Sequence, residues 1–225
     1  MTGTSDTGRP ASTGQSGLED PQTPTGDMTF GPDRLIMIGA STGGIDALIE
    51  VLKVFPVNAP PVMVVQHTGA KSAQGLSRVL AKATRLMVTE AAHGMQVSCG
   101  SVYLAPVDRG HLRVSGDRPL FCRLLPGPRV AGHAPSIDVL FQSGIHIAHR
   151  ISAALLTGMG RDGAEGLLAL RKAGASTFCQ DKDSSLVYGM PRVAFEMGAA
   201  QAQKDIRQLG SVLLSSCQAD GLRKP

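Results

Sequence analysis

The chain has 225 residues and a formal net charge of +4, from 22 Lys and Arg against 18 Asp and Glu. That charge is mild and dispersed, and there are only two tyrosines, six phenylalanines and no tryptophan. Neither a basic cluster for nucleic acid nor a stacking platform for bases is present. No apolar run reaches the roughly 18–20 residues of a membrane span, and the first residues lack the basic start and apolar stretch of a signal peptide. Four cysteines (Cys99, Cys122, Cys179, Cys217) are widely spaced with no C-x-x-C. That spacing argues against a zinc site or disulfide framework and for a reducing, cytoplasmic setting.

Eighteen of the first thirty residues are Gly, Ser, Thr or Pro, and only Met1, Ala11, Leu18, Met28 and Phe30 are apolar. Such a stretch buries too little apolar surface to offset the entropy of ordering it. Residues 1–30 are therefore expected to be a disordered head, and residues 31–225 one well-buried domain. Arg34–Ala40 (RLIMIGA) reads as a buried strand. Gly43–Val54 follows with helical spacing, Ile45, Leu48, Ile49 and Leu52 falling on one face. Val62–Gln66 (VMVVQ) is the next strand, and Ser72–Ala83 a helix with Leu76, Val79 and Leu80 inward. Between residues 86 and 125 short apolar runs (Met87–Thr89, Ser101–Ala105, Leu112–Val114, Leu120–Leu124) alternate with turn signals, which suggests a local set of antiparallel strands. Ser136 caps a helix running to about Arg150. Ile151–Thr157 is a buried strand, Ala164–Ala173 a helix and Ala175–Gln180 a strand. Pro191 suits the first turn of a short helix, and Ile206–Ser216 is the last one. The predicted fold is α/β: a doubly wound, mainly parallel sheet with flanking helices and a small antiparallel hairpin insertion.

In such sheets ligands bind beyond the carboxyl ends of the strands, and three reactive side chains follow three of these strands. The first strand ends in Gly39-Ala40-Ser41-Thr42-Gly43-Gly44, which satisfies G-x-S-x-G. That motif makes a sharp strand-to-helix turn and lifts a serine hydroxyl clear of the sheet. Ser41 also sits at a helix N-terminus, where free N–H groups stabilise a developing oxyanion, with the Thr42 amide as the natural first donor. The second strand ends at His67, one β-α-β unit later, where an imidazole can take the serine proton. The strand Ile151–Thr157 runs into Gly158-Met159-Gly160-Arg161-Asp162-Gly163, and Asp162 can orient and stabilise that histidine. The bland alternatives are a glycine-rich turn capped by serine, a loop histidine, and an aspartate that caps its own helix. The order Ser…His…Asp differs from the Ser…Asp…His of α/β-hydrolases.

A dinucleotide site competes for the same turn, since Gly39-x-Ser41-x-x-Gly44 resembles G-x-G-x-x-G. Its middle glycine, the one that admits a pyrophosphate, is replaced. No acidic residue ends the second strand to hold a ribose, and Tyr188 and Tyr103 have no lysine four residues on. No cofactor is therefore expected, and His133, His146 and His149 are scattered without metal-ligand spacing. His93 and His111 read as loop or rim residues. Asp138 reads as compensation for a helix N-terminus.

Six ordered blocks then carry a family resemblance: IGASTGGIDAL at 38–48, VVQH at 64–67, VYLAPVDRGHL at 102–112, PSIDVLF at 135–141, LLTGMGRDGAEGL at 155–167 and QDKDSSLVYGMP at 180–191. Over residues 34–214 the chain resembles the catalytic domain of CheB-type chemotaxis receptor methylesterases. The resemblance implies Ser41 as nucleophile, His67 as base, Asp162 as orienting acid, and Thr42 and Met159 beside the oxyanion and substrate. It implies hydrolysis of glutamate γ-methyl esters, and of some glutamines, on the cytoplasmic helices of methyl-accepting chemoreceptors. It also raises a separate response regulator or the receptor methyltransferase as partners, without nucleic acid or membrane insertion.

Three features depart from the family pattern. Only the short head precedes Arg34, so a stand-alone domain without a phosphorylated receiver is expected. Thr68-Gly69-Ala70 follows His67 where a proline-bearing loop is usual. Ala134 precedes Pro135-Ser136 where arginine is common. A catalytically weak receptor-binding module of the same fold and a general small-ester hydrolase are the competing functions.

Overall fold

A computed structural model describes residues 1–3, 28–31, 33–69 and 75–218. Most of the expected head thus lies outside the described residues. Met28 and Phe30 pack against the core, and Phe30 bridges Gln218 near the chain's far end.

Seven parallel strands form the central sheet: β1 (Leu35–Ala40), β2 (Val62–Gln66), β3 (Met87–Glu90), β4 (Ser101–Leu104), β7 (Ile151–Leu155), β8 (Ser176–Gln180) and β9 (Ala202–Lys204). Their order across the sheet is β3-β4-β2-β1-β7-β8-β9. All six residues of β1 are buried, as a central strand covered by helices on both faces requires. Alternate side chains of β1 feed two cores. Leu35 and Met37 join Ile137, Phe141 and Leu167 on one face. Ile36 and Ile38 join Leu48, Leu52 and Leu213 on the other.

Helices α1 (Gly44–Leu52), α2 (Leu76–Ala83), α3 (Ile137–Ser143), α4 (Ala164–Lys172), α5 (Met190–Glu196) and α6 (Ile206–Ser216) cover the sheet. Among the described residues no helix is long and apolar enough to cross a membrane. A separate antiparallel pair, β5 (His111–Ser115) and β6 (Phe121–Leu125), packs against α3.

The structure corrects four local expectations. β3 and β4 are parallel members of the main sheet, and only β5 and β6 form the hairpin; short apolar runs look alike in either pairing. The helix expected from Ser136 to Arg150 breaks at Gly144 into α3 and a 3₁₀ segment, Ile145–Arg150. Val79 is 45% exposed, because α2 packs mainly on α1 and the edge strand β3 and buries the narrower stripe of Leu76 and Leu80. β9 is a three-residue, half-buried edge strand with no apolar run to mark it. The start of the expected helix at Ser72 lies outside the described residues.

Candidate active site

β1 lies between β2 and β7, so the chain leaves it in opposite directions across the sheet. Crevices at such reversals are where open α/β sheets bind ligands. Ala40 pairs with Gln66 in the last register of β1 against β2, which sets Ser41 beside His67 one residue further on. The His67 N–H donates to Ala40 O at 2.9 Å and holds the two turns together.

The turn carrying Ser41 is pinned on both sides. Its N–H donates to Thr157 O at 3.0 Å, and its carbonyl accepts the Gly44 N–H at 2.8 Å. Gln66 Nε2 donates to Ser41 O at 2.8 Å and to His67 O at 2.9 Å, so one buried amide ties the two residues' backbones together. Gly43 turns the chain into α1 with φ 79°, a conformation that side chains with a Cβ disfavour. Thr42, exposed at the tip, has its carbonyl held by Thr157 Oγ1 at 3.0 Å.

The segment beyond β7 closes over Ser41. A Cβ on Gly158 would lie 2.5 Å from Ser41 Cβ and 2.7 Å from Met190 Sδ. Met159, the next residue, is 73% exposed at the rim. Gly158→Ala is therefore expected to cost about 1–3 kcal/mol of stability by overpacking. By displacing Ser41 it should also slow acylation of that residue by roughly 10²-fold. Thermal unfolding and the rate of labelling by a fluorophosphonate check both.

Asp162 is 1% exposed and receives donors from every side. Its Oδ2 lies 3.0 Å from His67 Nε2 and accepts the Ile137 N–H at 2.8 Å. Its Oδ1 accepts Ser136 Oγ–H at 2.8 Å and the Asp138 N–H at 3.0 Å. Burial alone would raise its pKa; the His67 ring and these three donors outweigh it and bring the carboxyl down to about 2. Asp162 therefore caps α3, not the helix α4 that follows it, whose N-cap is Gly163. Next to it, burial pushes Asp138 up to about 6 against the opposing Gly166 N–H. Its Oδ1 accepts that N–H at 2.6 Å, so Asp138, an acidic residue in the first turn of α3 as expected, also ties α3 to α4.

The His67 ring is oriented in an informative way. Nε2 faces Asp162 out of line for a well-directed hydrogen bond, and Nδ1 is buried without a partner. The Ser41 hydroxyl likewise makes no hydrogen bond among the described residues. A cleft of about 280 Å³ opens beside this ring, lined by His67, Thr68, Gly69, Arg129, His133 and Ala134 among others. The two departures from the family pattern after His67 and at Ala134 both border it. Strand-end reasoning missed Gln66, Ser136 and His133 at the site. Ser136 carried a signal as a helix cap, and Gln66 and Ser136 stand within the motif blocks. His111 is buried, not on a rim: it accepts the Ser136 N–H at Nδ1 and donates from Nε2 to Pro128 O at 2.9 Å. Cys122, Cys179 and Cys217 are buried, with burial pushing each thiol up to about 12.

Residues 36–221 match the family model described as CheB methylesterase. The chain is 42% identical over 206 residues to protein-glutamate methylesterase/protein-glutamine glutaminase 1 of Caulobacter vibrioides, covering 91% of this chain and 60% of that protein. It is 45% identical over 186 residues to the protein-glutamate methylesterase/protein-glutamine glutaminase of Agrobacterium fabrum, covering 80% and 52%. The crystal structure of the Thermotoga maritima CheB methylesterase catalytic domain superposes with a TM-score of 0.77 at 30% identity, covering 81% of this chain and 97% of that one. The chain thus spans between half and two thirds of the length of these curated relatives. On the breadth of the family match and the identity to these relatives, the chain belongs to the CheB methylesterase family.

Proposed function

We propose that the chain is a cytoplasmic serine hydrolase that removes methyl groups from glutamate side-chain esters of chemoreceptors and also hydrolyses receptor glutamines. Residues 31–225 are its catalytic unit, with Ser41 as nucleophile, His67 as general base, Asp162 as orienting acid, and Thr42 and Met159 at the oxyanion and substrate. The observation that carries this reading is the alignment of Ser41 and His67 on adjacent strand ends with Asp162 Oδ2 3.0 Å behind the imidazole. The relatives' names supply the two reactions.

Ser41 Oγ attacks the ester carbonyl as its proton passes to His67 Nδ1. The carbonyl oxygen becomes an oxyanion facing the Thr42 turn, where preorganised N–H donors act on charge that exists only in the transition state. The bond to the methoxy oxygen breaks, and that oxygen takes the proton from His67 and leaves as methanol. Water then attacks the glutamyl-serine ester, passing a proton through His67 back to Ser41 Oγ. A glutamine follows the same course, with ammonia leaving in the first half. Throughout, Asp162 stabilises the imidazolium without taking its proton. This places Nε2 toward the carboxylate and Nδ1 toward the serine, the reverse of the serine-protease arrangement.

The test is methanol release by the full chain from membranes carrying methylated chemoreceptor, compared with a free glutamate γ-methyl ester. Binding energy from the remote parts of the receptor should raise kcat/KM by about 10²-fold or more over the free ester. Equal turnover of the two would reassign the chain as a general small-ester hydrolase. Absence of turnover with retained receptor binding would make it a non-catalytic module.

A further inference from the structure

His133 is stacked on His67. The ring centroids are 3.7 Å apart and the planes differ by 8°. Nothing in the spacing of His133 along the chain suggests this; a specific piece of backbone delivers it. The His133 N–H donates to Val130 O at 2.9 Å and the Val130 N–H donates to His133 O at 3.0 Å, closing a two-residue hairpin turn. Both central residues are left-handed, Ala131 with φ 49° and Gly132 with φ 86°. Glycine adopts that conformation freely, whereas alanine is strained in it. Arg129 Nη1 braces the turn by donating to Gly132 O at 3.2 Å. Three residues after His133, Ser136 Oγ donates to Asp162. The same short segment therefore touches both the imidazole and its carboxylate.

In its plane the His67 ring has one anchor, Nε2, which lies 3.0 Å from Asp162 Oδ2 but out of line, and Nδ1 has no partner. The stacked His133 supplies the contact on its face. We propose that His133 is a positioning residue, its imidazole seated face to face on His67 so that the general base keeps Nε2 toward Asp162 and Nδ1 toward Ser41. The inference rests on the reading of His67 as that base. It also explains why the stacked ring should be uncharged. When Ser41 attacks, His67 becomes a cation, and an aromatic face is attracted to a cation, whereas a second imidazolium would repel it. The charged and titratable groups facing His133 are His67, Asp162 and Arg129, with Asp108 on the same cleft wall. Burial, then His67 and Arg129, hold its pKa below the usual histidine range against the opposing pull of Asp162.

The test uses the full chain, with His133→Ala, His133→Phe and His133→Leu, and reads kcat and KM on a methyl ester and the rate of fluorophosphonate labelling across pH. His133→Ala is expected to lower kcat roughly 10- to 100-fold with KM changed by less than about twofold, the pattern of a defect confined to the transition state. His133→Phe keeps the stack and should return to within about threefold of the parent rate, an allowance for the changed ring. Its activity should also fall less than the parent's at acid pH, because the His133 imidazole that would gain a charge there is gone. His133→Leu fills the space without an aromatic face and should stay slow. Parent-like kcat in His133→Ala overturns the proposal, as does equal activity of the Phe and Leu variants. If His133→Ala does not fold, the Phe and Leu pair decides alone. A Ser41→Ala control that labels as fast as the parent would instead overturn the serine reading on which the proposal rests.

Discussion

Asp162→Asn is expected to lower turnover by about 10⁴-fold, the scale of the same exchange in a serine-protease triad. The reason lies in the four groups that surround this carboxylate. Ser136 Oγ and the Asp138 N–H meet one oxygen, and the Ile137 N–H and His67 Nε2 meet the other. Asparagine has one acceptor oxygen and one NH₂. With NH₂ toward His67, the imidazole would have to accept at Nε2 and carry its proton on Nδ1, where it can no longer take one from Ser41. With NH₂ turned toward Asp138, two N–H donors face each other in a buried site, at a cost of about 1–3 kcal/mol. Either way the variant should be less stable at neutral pH. The sign of the pH dependence follows from the depressed carboxyl, at about 2 against a usual 3.8. A carboxylate held low in the folded state contributes stability at pH values above the unfolded pKa and loses it as pH falls through the folded one. The gap in stability between parent and Asp162→Asn should therefore narrow between about pH 4 and pH 2. Urea unfolding at a series of pH values measures it; a gap unchanged at the acid end would contradict the assignment.

Ser41→Ala is the second large effect. Removing the proposed nucleophile should lower methanol release by about 10⁶-fold, with a remainder from oxyanion and binding contacts alone. The fold should be unaffected. The hydroxyl makes no hydrogen bond among the described residues, and the turn is held by backbone groups and Gln66, so the melting temperature should stay close to that of the parent. Loss of turnover with an unchanged melting curve separates chemistry from packing.

Much of this site is legible in the sequence because strands announce their own ends. RLIMIGA and VMVVQ are continuous apolar runs, and the glycines after the first fix where the chain turns, so Ser41 and His67 can be placed on one sheet edge. Asp162 is legible as a residue after a strand, but the helix it caps is not: the α3 N-terminus comes to it from 24–26 residues earlier in the chain. His133 is not legible at all. No local periodicity encodes which loop lies over which ring; that contact is set by a turn with two left-handed residues and by packing around buried His111. The direction of β3 and β4 is hidden for a related reason, since a strand with only two or three apolar residues does not say which neighbour it pairs with.

The proposed nucleophile is Ser41, activated by His67. The most direct measurement is mass spectrometry of the folded full chain after exposure to a fluorophosphonate, with peptide mapping of the adduct. One adduct per chain on the peptide carrying Ser41, formed far more slowly in His67→Gln, is the expected result. An adduct on any other residue, or none on a protein that melts normally, would contradict it.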